Sequence, residues 1–324
     1  VWLGAECAGV FGAPGARVEA QAQMAAAPPM PQQAASPLAS GKYQLVFQDD
    51  FDGKSLDRSR WCTRLAYGDG PAPQVEDKDC CGPGGQGGTR DFLKDERQRY
   101  VDKNTKGETM HLVSDGTLKL RATKSRADSY ATYEAAMIRS KYSFVPTGST
   151  KYYMTSRVRL PNVRGTFCAM WLAPGFGKDG QVPWPPEIDI FEGALNERDD
   201  TANMIRTGVQ VVNSQTDSGH EEFIMTHPQY DTKWNNFKTE TSLRETWVEF
   251  GAEWSADKLC YYVNGTLMMC EKYRWQTNAG MPATAAQLIF NHAIGGEWAG
   301  RYGIDDTRFP THMEIDYVRV YRQQ

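Results

Sequence analysis

Short runs of alternating apolar and polar residues, interrupted by Gly, Asp, Asn and Pro, recur through most of this sequence. Leu118, Leu120 and Ala122 alternate with polar neighbours after Asp115 and Gly116, and Val248, Phe250, Ala252 and Trp254 repeat the pattern. Successive side chains of a strand point to opposite faces, so each run offers one apolar face to a core. The last run places Met313, Ile315, Tyr317 and Tyr321 on one face and Val318 and Val320 on the other, as in a strand packed on both sides. Tyr261 to Met269 surrounds Asn264 and Gly265, the residue pair that favours a type I′ hairpin turn. Long apolar stripes of helical period are absent. The chain from residue 42 to 324 therefore reads as one all-β domain, a sandwich of two antiparallel sheets.

The first 41 residues differ in kind. Ala8 to Ser40 is dominated by Ala, Pro and Gly without periodicity, too little apolar area to offset its ordering entropy, so residues 1–41 are expected to form a disordered tail or linker. No apolar run is long enough to span a bilayer as a helix. The formal charge of −4 creates no field for nucleic acid, whereas a neutral glycan needs none.

The seven cysteines include no CxxC pair, and the five histidines, at 111, 220, 227, 292 and 312, form no HExxH motif, which argues against a zinc site. Cys168 lies in an apolar run and reads as a buried small hydrophobe. Cys260 and Cys270 flank the Asn264 hairpin, but a regular two-residue turn would put them on opposite faces, against a bridge. The Gly-rich stretch from Gly68 to Arg90, with vicinal Cys80 and Cys81, lacks the Lys and following helix of a phosphate loop and reads as a surface loop beside a cleft.

The segment Trp184 to Glu192 carries the chemistry. Glu187 and Asp189 share one face while Ile188 and Ile190 share the other. Strict alternation would then send Glu192 into the core, where an unpaired carboxylate costs several kcal/mol, about 2 or more, or takes up a proton. A one-residue bulge near Ile190 and Phe191 returns Glu192 to the acidic face and buries Phe191. Fully extended, Glu187 and Glu192 stand about 16 Å apart at Cα, whereas a retaining glycosidase needs carboxyl groups about 5.5 Å apart, so bulge, twist and inward-leaning side chains must close the distance. A solvated acidic strand or a calcium site is the competing reading of the same pattern.

This segment resembles the active-site motif of glycoside hydrolase family 16, the laminarinase, endo-β-glucanase, agarase and carrageenase group. Further matches in order are Leu45 to Gly53 with Trp61; Glu96 and Gln98 before Tyr100; Arg157 to Pro161; Gly165 with Ala169, Trp171 and Pro174; Asn291 with Gly295, Gly296 and Trp298; and Asp316 to Tyr321. Thr155, Ala136 and Pro186 depart from the family's usual residues. The resemblance implies a concanavalin-like β jelly roll with a concave substrate cleft, a secreted, cell-surface or periplasmic location, and a monomer acting on a polysaccharide. It implies Glu187 as nucleophile, Glu192 as general acid/base and Asp189 as supporting acid, with no metal and no cofactor in the reaction and calcium at most structural. Trp171, Trp184 and Trp298 offer flat faces to sugar rings, and Asn291, Gln98 and Arg139 are expected donors to hydroxyls. The expected substrate is an internal β-1,3 or mixed β-1,3/1,4-glucan linkage. An agarase-like or carrageenase-like galactan hydrolase, an exopolysaccharide glycanase and a non-catalytic carbohydrate-binding jelly roll are the alternatives.

Overall fold

The computed structural model describes residues 36–66, 80, 96–125, 132–210, 223–225, 230–231, 236–277 and 279–323. The tail up to residue 35 and the Gly68 to Arg90 loop, apart from Cys80, lie outside the described residues, as do His220 and His227. Pro37–Ser40 forms a 3-10 turn closed by left-handed Gly41. The sandwich belongs to the unit Gln33–Gln324.

Nineteen strands follow among the described residues: β1 (Gln44–Asp49), β2 (Trp61–Cys62), β3 (Gln98–Tyr100), β4 (His111–Ser114), β5 (Thr117–Lys124), β6 (Tyr133–Ala135), β7 (Met137–Phe144), β8 (Lys151–Arg159), β9 (Thr166–Pro174) and β10 (Glu187–Ala194). The remainder are β11 (Met204–Gln210), β12 (Phe223–Met225), β13 (Tyr230–Asp231), β14 (Asn236–Lys238), β15 (Trp247–Trp254), β16 (Lys258–Val263), β17 (Thr266–Lys272), β18 (Ala286–Ile294) and β19 (Thr311–Gln323). The larger sheet runs β12-β17-β16-β15-β8-β19-β5-β6-β3, with β1 on β19 and β4 on β5. The smaller runs β13-β14-β11-β10-β9-β18-β7-β2. All pairings are antiparallel except β3 with β6. The expected sandwich is thus present, and the single α-helix among the described residues, α1 (Gly296–Ala299), is one turn long.

One core fills the space between the sheets. Ile188, Phe191, Met170 and Phe290 from the smaller sheet meet Met154, Phe250, Trp254 and Val318 from the larger. The rings of Phe191 and Phe250 lie 4.3 Å apart across the sandwich. Trp61 is fully buried, and its indole N–H donates to Asp49 Oδ2 at 2.7 Å, tying the end of β1 to β2. Burying such an aromatic removes a large apolar area from water, and the paired N–H avoids the cost of an orphaned donor.

The hairpin β16–β17 turns through Asn264 and Gly265, both at positive φ, as the residue pair anticipates. The expectation that Cys260 and Cys270 face apart is overturned: they form a disulfide. A register shift between Tyr261 and Tyr262 inserts one extra residue on β17, so Cys260 pairs with Cys270 and not with Met269. That bulge changes the parity beyond the turn, which the turn residues alone do not encode. A second disulfide joins Cys62 to Cys80. Cys168 is buried, its thiol pushed up to about 12 by desolvation, as its apolar setting suggested.

His292 lies beside Cys168 in the β18–β9 ladder and is buried. Burial pushes its imidazole down to about 4, and Nδ1 donates to the Leu120 carbonyl at 2.9 Å. The folded chain therefore keeps this ring neutral where the unfolded chain, with a pKa of about 6.5, binds a proton. Stability should fall by about 3 kcal/mol as the pH drops from about 6.5 to about 4. Urea unfolding across that window should show a flatter acid limb for His292→Gln; identical limbs would exclude His292 as the source.

Candidate active site

The acids sit on β10, whose neighbours are β9 and β11. Asp189 pairs with Trp171, yet Phe191 pairs with Met170, so Ile190 is an extra residue and the strand bulges there. On the other side the same shift separates Asp189, opposite Gly208, from Glu192, opposite Arg206. Ile190 and Phe191 both enter the core as a result. Beyond the bulge Glu192 lies opposite Ala169, two residues from Trp171 on β9, and so returns to the face of Asp189. Glu187 precedes Ile188, which pairs with Leu172, and shares that face too. Four residue steps of the partner strand now cover the span from Glu187 to Glu192, about 13 Å at roughly 3.3 Å per residue. The expected bulge, its position and the burial of Phe191 are all observed.

Glu187 and Glu192 are half-buried and Asp189 is buried. Trp184 stands exposed at the approach to β10, and its indole N–H donates to Glu187 Oε2 at 2.8 Å. The hydrogen bond holds the Glu187 carboxylate against the Trp184 ring edge. Beneath the acids, side chains from β16, from just past β17 and from the segment ahead of β15 hold the backbone. The Tyr273 hydroxyl donates to the Glu187 carbonyl at 3.2 Å, and burial pushes this phenol well above its ordinary range, so it remains a donor. The Tyr261 hydroxyl lies 3.0 Å from the carbonyl of Gly208, the residue facing Asp189. Buried Arg244 reaches the carbonyls of Gly193 and Ala194 just past Glu192. None of these three was singled out from sequence, because their partners are main-chain atoms far away in the chain.

The floor continues across the sheet in two rows. One runs Asp189, Trp171, Ile289, Arg139 and Cys62. The other runs Arg206, Glu192, Ala169, Asn291 and Met137. Several expected sugar ligands prove to be parts of this floor. Trp171 is 4% exposed, and its N–H donates to Asn291 Oδ1 at 2.8 Å, while Asn291 Nδ2 donates to the Tyr100 hydroxyl at 3.1 Å. Gln98 is fully buried, donating to Glu96 and accepting from the Ile294 N–H at 2.7 Å. Arg139, 2% exposed, donates to the carbonyls of Arg64 and Cys80 and to Gln287 Oε1. Asn291, Gln98 and Arg139 thus spend their polar atoms on the protein, a correction to their expected role at hydroxyls. Trp298 is half-buried, and one face of its ring carries the guanidinium of Arg206, 4.4 Å from the centroid. Among the described residues no group of three or more His, Cys, Asp or Glu side chains is arranged to hold a metal ion, and no helix is long and apolar enough to cross a membrane.

The family model for glycosyl hydrolases family 16 matches residues 98–319. The chain is 25% identical over 296 residues to a glucan endo-1,3-beta-glucosidase A1 of Niallia circulans, covering 86% of this chain and 38% of the relative. It is 28% identical over 178 residues to a beta-glucanase of Rhodothermus marinus, covering 51% of this chain and 55% of the relative. The chain thus spans about half or less of the length of these relatives. Among solved structures, the endo-beta-1,3-glucanase from Pyrococcus furiosus aligns with a TM-score of 0.59 at 22% identity, covering 91% of this chain and 99% of that one. The laminarinase from Rhodothermus marinus aligns with a TM-score of 0.58 at 22% identity, covering 87% and 98%. These likenesses show the β jelly-roll fold.

Arg139 acts as a tether between the floor and the segments carrying Arg64 and Cys80. Arg139→Met should therefore destabilise the chain by about 3 kcal/mol in urea unfolding, because buried acceptors lose a charged donor. A loss below about 0.5 kcal/mol, the range of an ordinary surface change, would show that the tether is unimportant.

Proposed function

The chain belongs to glycosyl hydrolases family 16, and on that premise we propose that it is a retaining endo-glycoside hydrolase cleaving internal β-1,3 or mixed β-1,3/1,4-glucan linkages. The observation that carries this reading is the bulge at Ile190, which sets Glu187, Asp189 and Glu192 on one face beside exposed Trp184. The 1,3-β-glucan activities in the relatives' names support the choice of substrate.

Glu187 is the nucleophile. Its carboxylate forms a bond to the anomeric carbon as the glycosidic carbon–oxygen bond breaks, and Glu192 gives its proton to the departing oxygen. Glu192, now ionised, then takes a proton from water, which attacks the anomeric carbon and releases Glu187, restoring both groups. Asp189 lies between them on the same face, where its negative charge favours the protonated form of a neighbouring acid. Trp184 offers an exposed ring face to the sugar while its N–H fixes the nucleophile. The enzyme of this reading works outside the cytoplasm, at the cell surface, in the periplasm or secreted, as a monomer without a cofactor; the two disulfides support the oxidising compartment.

Mass spectrometry of products from laminarin, barley β-glucan, agarose, carrageenans, xyloglucan and a bacterial exopolysaccharide tests the substrate. Rapid oligosaccharide release from either β-glucan with inert galactans is expected; the reverse pattern would reject the glucan while keeping the acids. The roles are tested by azide rescue on an activated substrate. Glu187→Ala should lose turnover by about 10⁴-fold or more and yield an α-configured glycosyl azide, whereas Glu192→Ala should yield the β-configured azide. Inversion of anomeric configuration by the unmodified enzyme would rule out double displacement.

A further inference from the structure

Arg206 lies directly opposite Glu192 in the β10–β11 ladder, and directly opposite Asn236 in the β11–β14 ladder. Opposed residues of a ladder share a face, so Asn236, Arg206 and Glu192 form one row across the outer face of the smaller sheet. The guanidinium carbon of Arg206 sits over the indole of Trp298, 4.4 Å from its centroid, and that indole meets Phe167 edge-to-face at 5.8 Å. Stacking on an aromatic fixes the plane of an arginine while leaving the N–H edges free for directed hydrogen bonds.

Neither side chain has a hydrogen-bond partner among the described residues. Arg206 forms no hydrogen bond or ion pair with any described residue, and its Nε is enclosed without a partner. Asn236 is 5% exposed, with Oδ1 enclosed and unpartnered. Leaving a buried polar atom unpaired costs about 1–3 kcal/mol. Two such atoms on adjacent strands, in the row of the acid/base, mark a place whose partners arrive with a ligand. The tethers make the contrast: Arg139 and Asn291 in the same floor, and Gln98 on β3 of the larger sheet, are all satisfied internally.

We propose that Arg206, oriented by Trp298 and flanked by Asn236, forms a sugar subsite on the β11–β14 side of Glu192 that holds the hydroxyls of a neutral glucan unit next to the bond being cut. This rests on the glucanase reading and extends it to the specificity of one subsite. Trp298 then acts as the platform for Arg206 and not as the sugar-stacking ring. A neutral unit fits better than an anionic one because three carboxylates, Glu187, Asp189 and Glu192, share the face with Arg206, while Arg139 is spent on internal carbonyls.

The test uses reducing-end-labelled laminari-oligosaccharides and mixed-linkage oligosaccharides of increasing length with the unmodified enzyme, Arg206→Met, Arg206→Lys, Trp298→Phe and Asn236→Ala. Subsite loss should lower kcat/KM by about tenfold or more for Arg206→Met on chains long enough to fill it, chiefly through KM, and shift the preferred cleavage position by one unit. Chains one unit too short should be cleaved equally by both enzymes. Arg206→Lys, which keeps the charge without the planar fork, should lie between, and Trp298→Phe and Asn236→Ala should shift the cleavage position in the same sense. An equal loss on every length, or a displaced pH profile with unchanged cleavage positions, would overturn the subsite. Should the unmodified enzyme cleave none of the glucan series, the substrate reading fails and the subsite stated for it fails too; activity of the unmodified enzyme with an unaffected Arg206→Met fails the subsite alone.

Discussion

The packing of two consecutive side chains, Ile190 and Phe191, into the same core governs the candidate site. A regular strand cannot bury neighbours on one face, so the backbone bulges, and Phe191 packs at a tilt against Phe250 of the opposite sheet. Its consequence is chemical. Without the extra residue, Glu192 would face the core, where its charge would be expensive; with it, three acids share one surface. The core packing and the grouping of the acids are therefore the same structural event, and neither is obtained without the other.

A bulged strand bearing several like charges needs its backbone fixed from behind. Three side chains from outside the smaller sheet supply this: Tyr273, just past β17, reaches the Glu187 carbonyl, Tyr261 of β16 the Gly208 carbonyl, and Arg244, ahead of β15, the carbonyls of Gly193 and Ala194. The contacts bracket the acidic strand at both ends and at its neighbour. The floor beside it is fixed laterally by the chain from Trp171 through Asn291 to Tyr100 and by the Arg139 tether. Such satisfied polar groups are rigid parts of the floor. Against this background the uncommitted pair Arg206 and Asn236 stands out as the polar chemistry still open to a ligand.

Much of this was legible in the sequence. Period-two alternation specified strands, the absence of helical stripes specified an all-β domain, and the parity break between Asp189 and Glu192 specified the bulge, because each of these is a local rule linking side-chain direction to position. Asn264 and Gly265 likewise specified their turn. What could not be read was whatever depends on the neighbour across the sheet or the sandwich. Cys260 and Cys270 meet because of a shift inside a hairpin whose turn looks regular. Gln98, Asn291 and Arg139 look like sugar ligands in the chain and become tethers only when Ile294, Trp171 and Cys80 are brought beside them. Arg206 looks like any polar strand residue until the register puts it opposite Glu192 and α1, following β18, brings the Trp298 ring against its guanidinium. The sequence by itself determined which residues face together along one strand, since alternation is a property of the backbone. Only the tertiary structure decided which polar side chains are used up inside the protein and which remain free for a substrate, since hydrogen-bond partners from distant strands exist only once the sheets have paired.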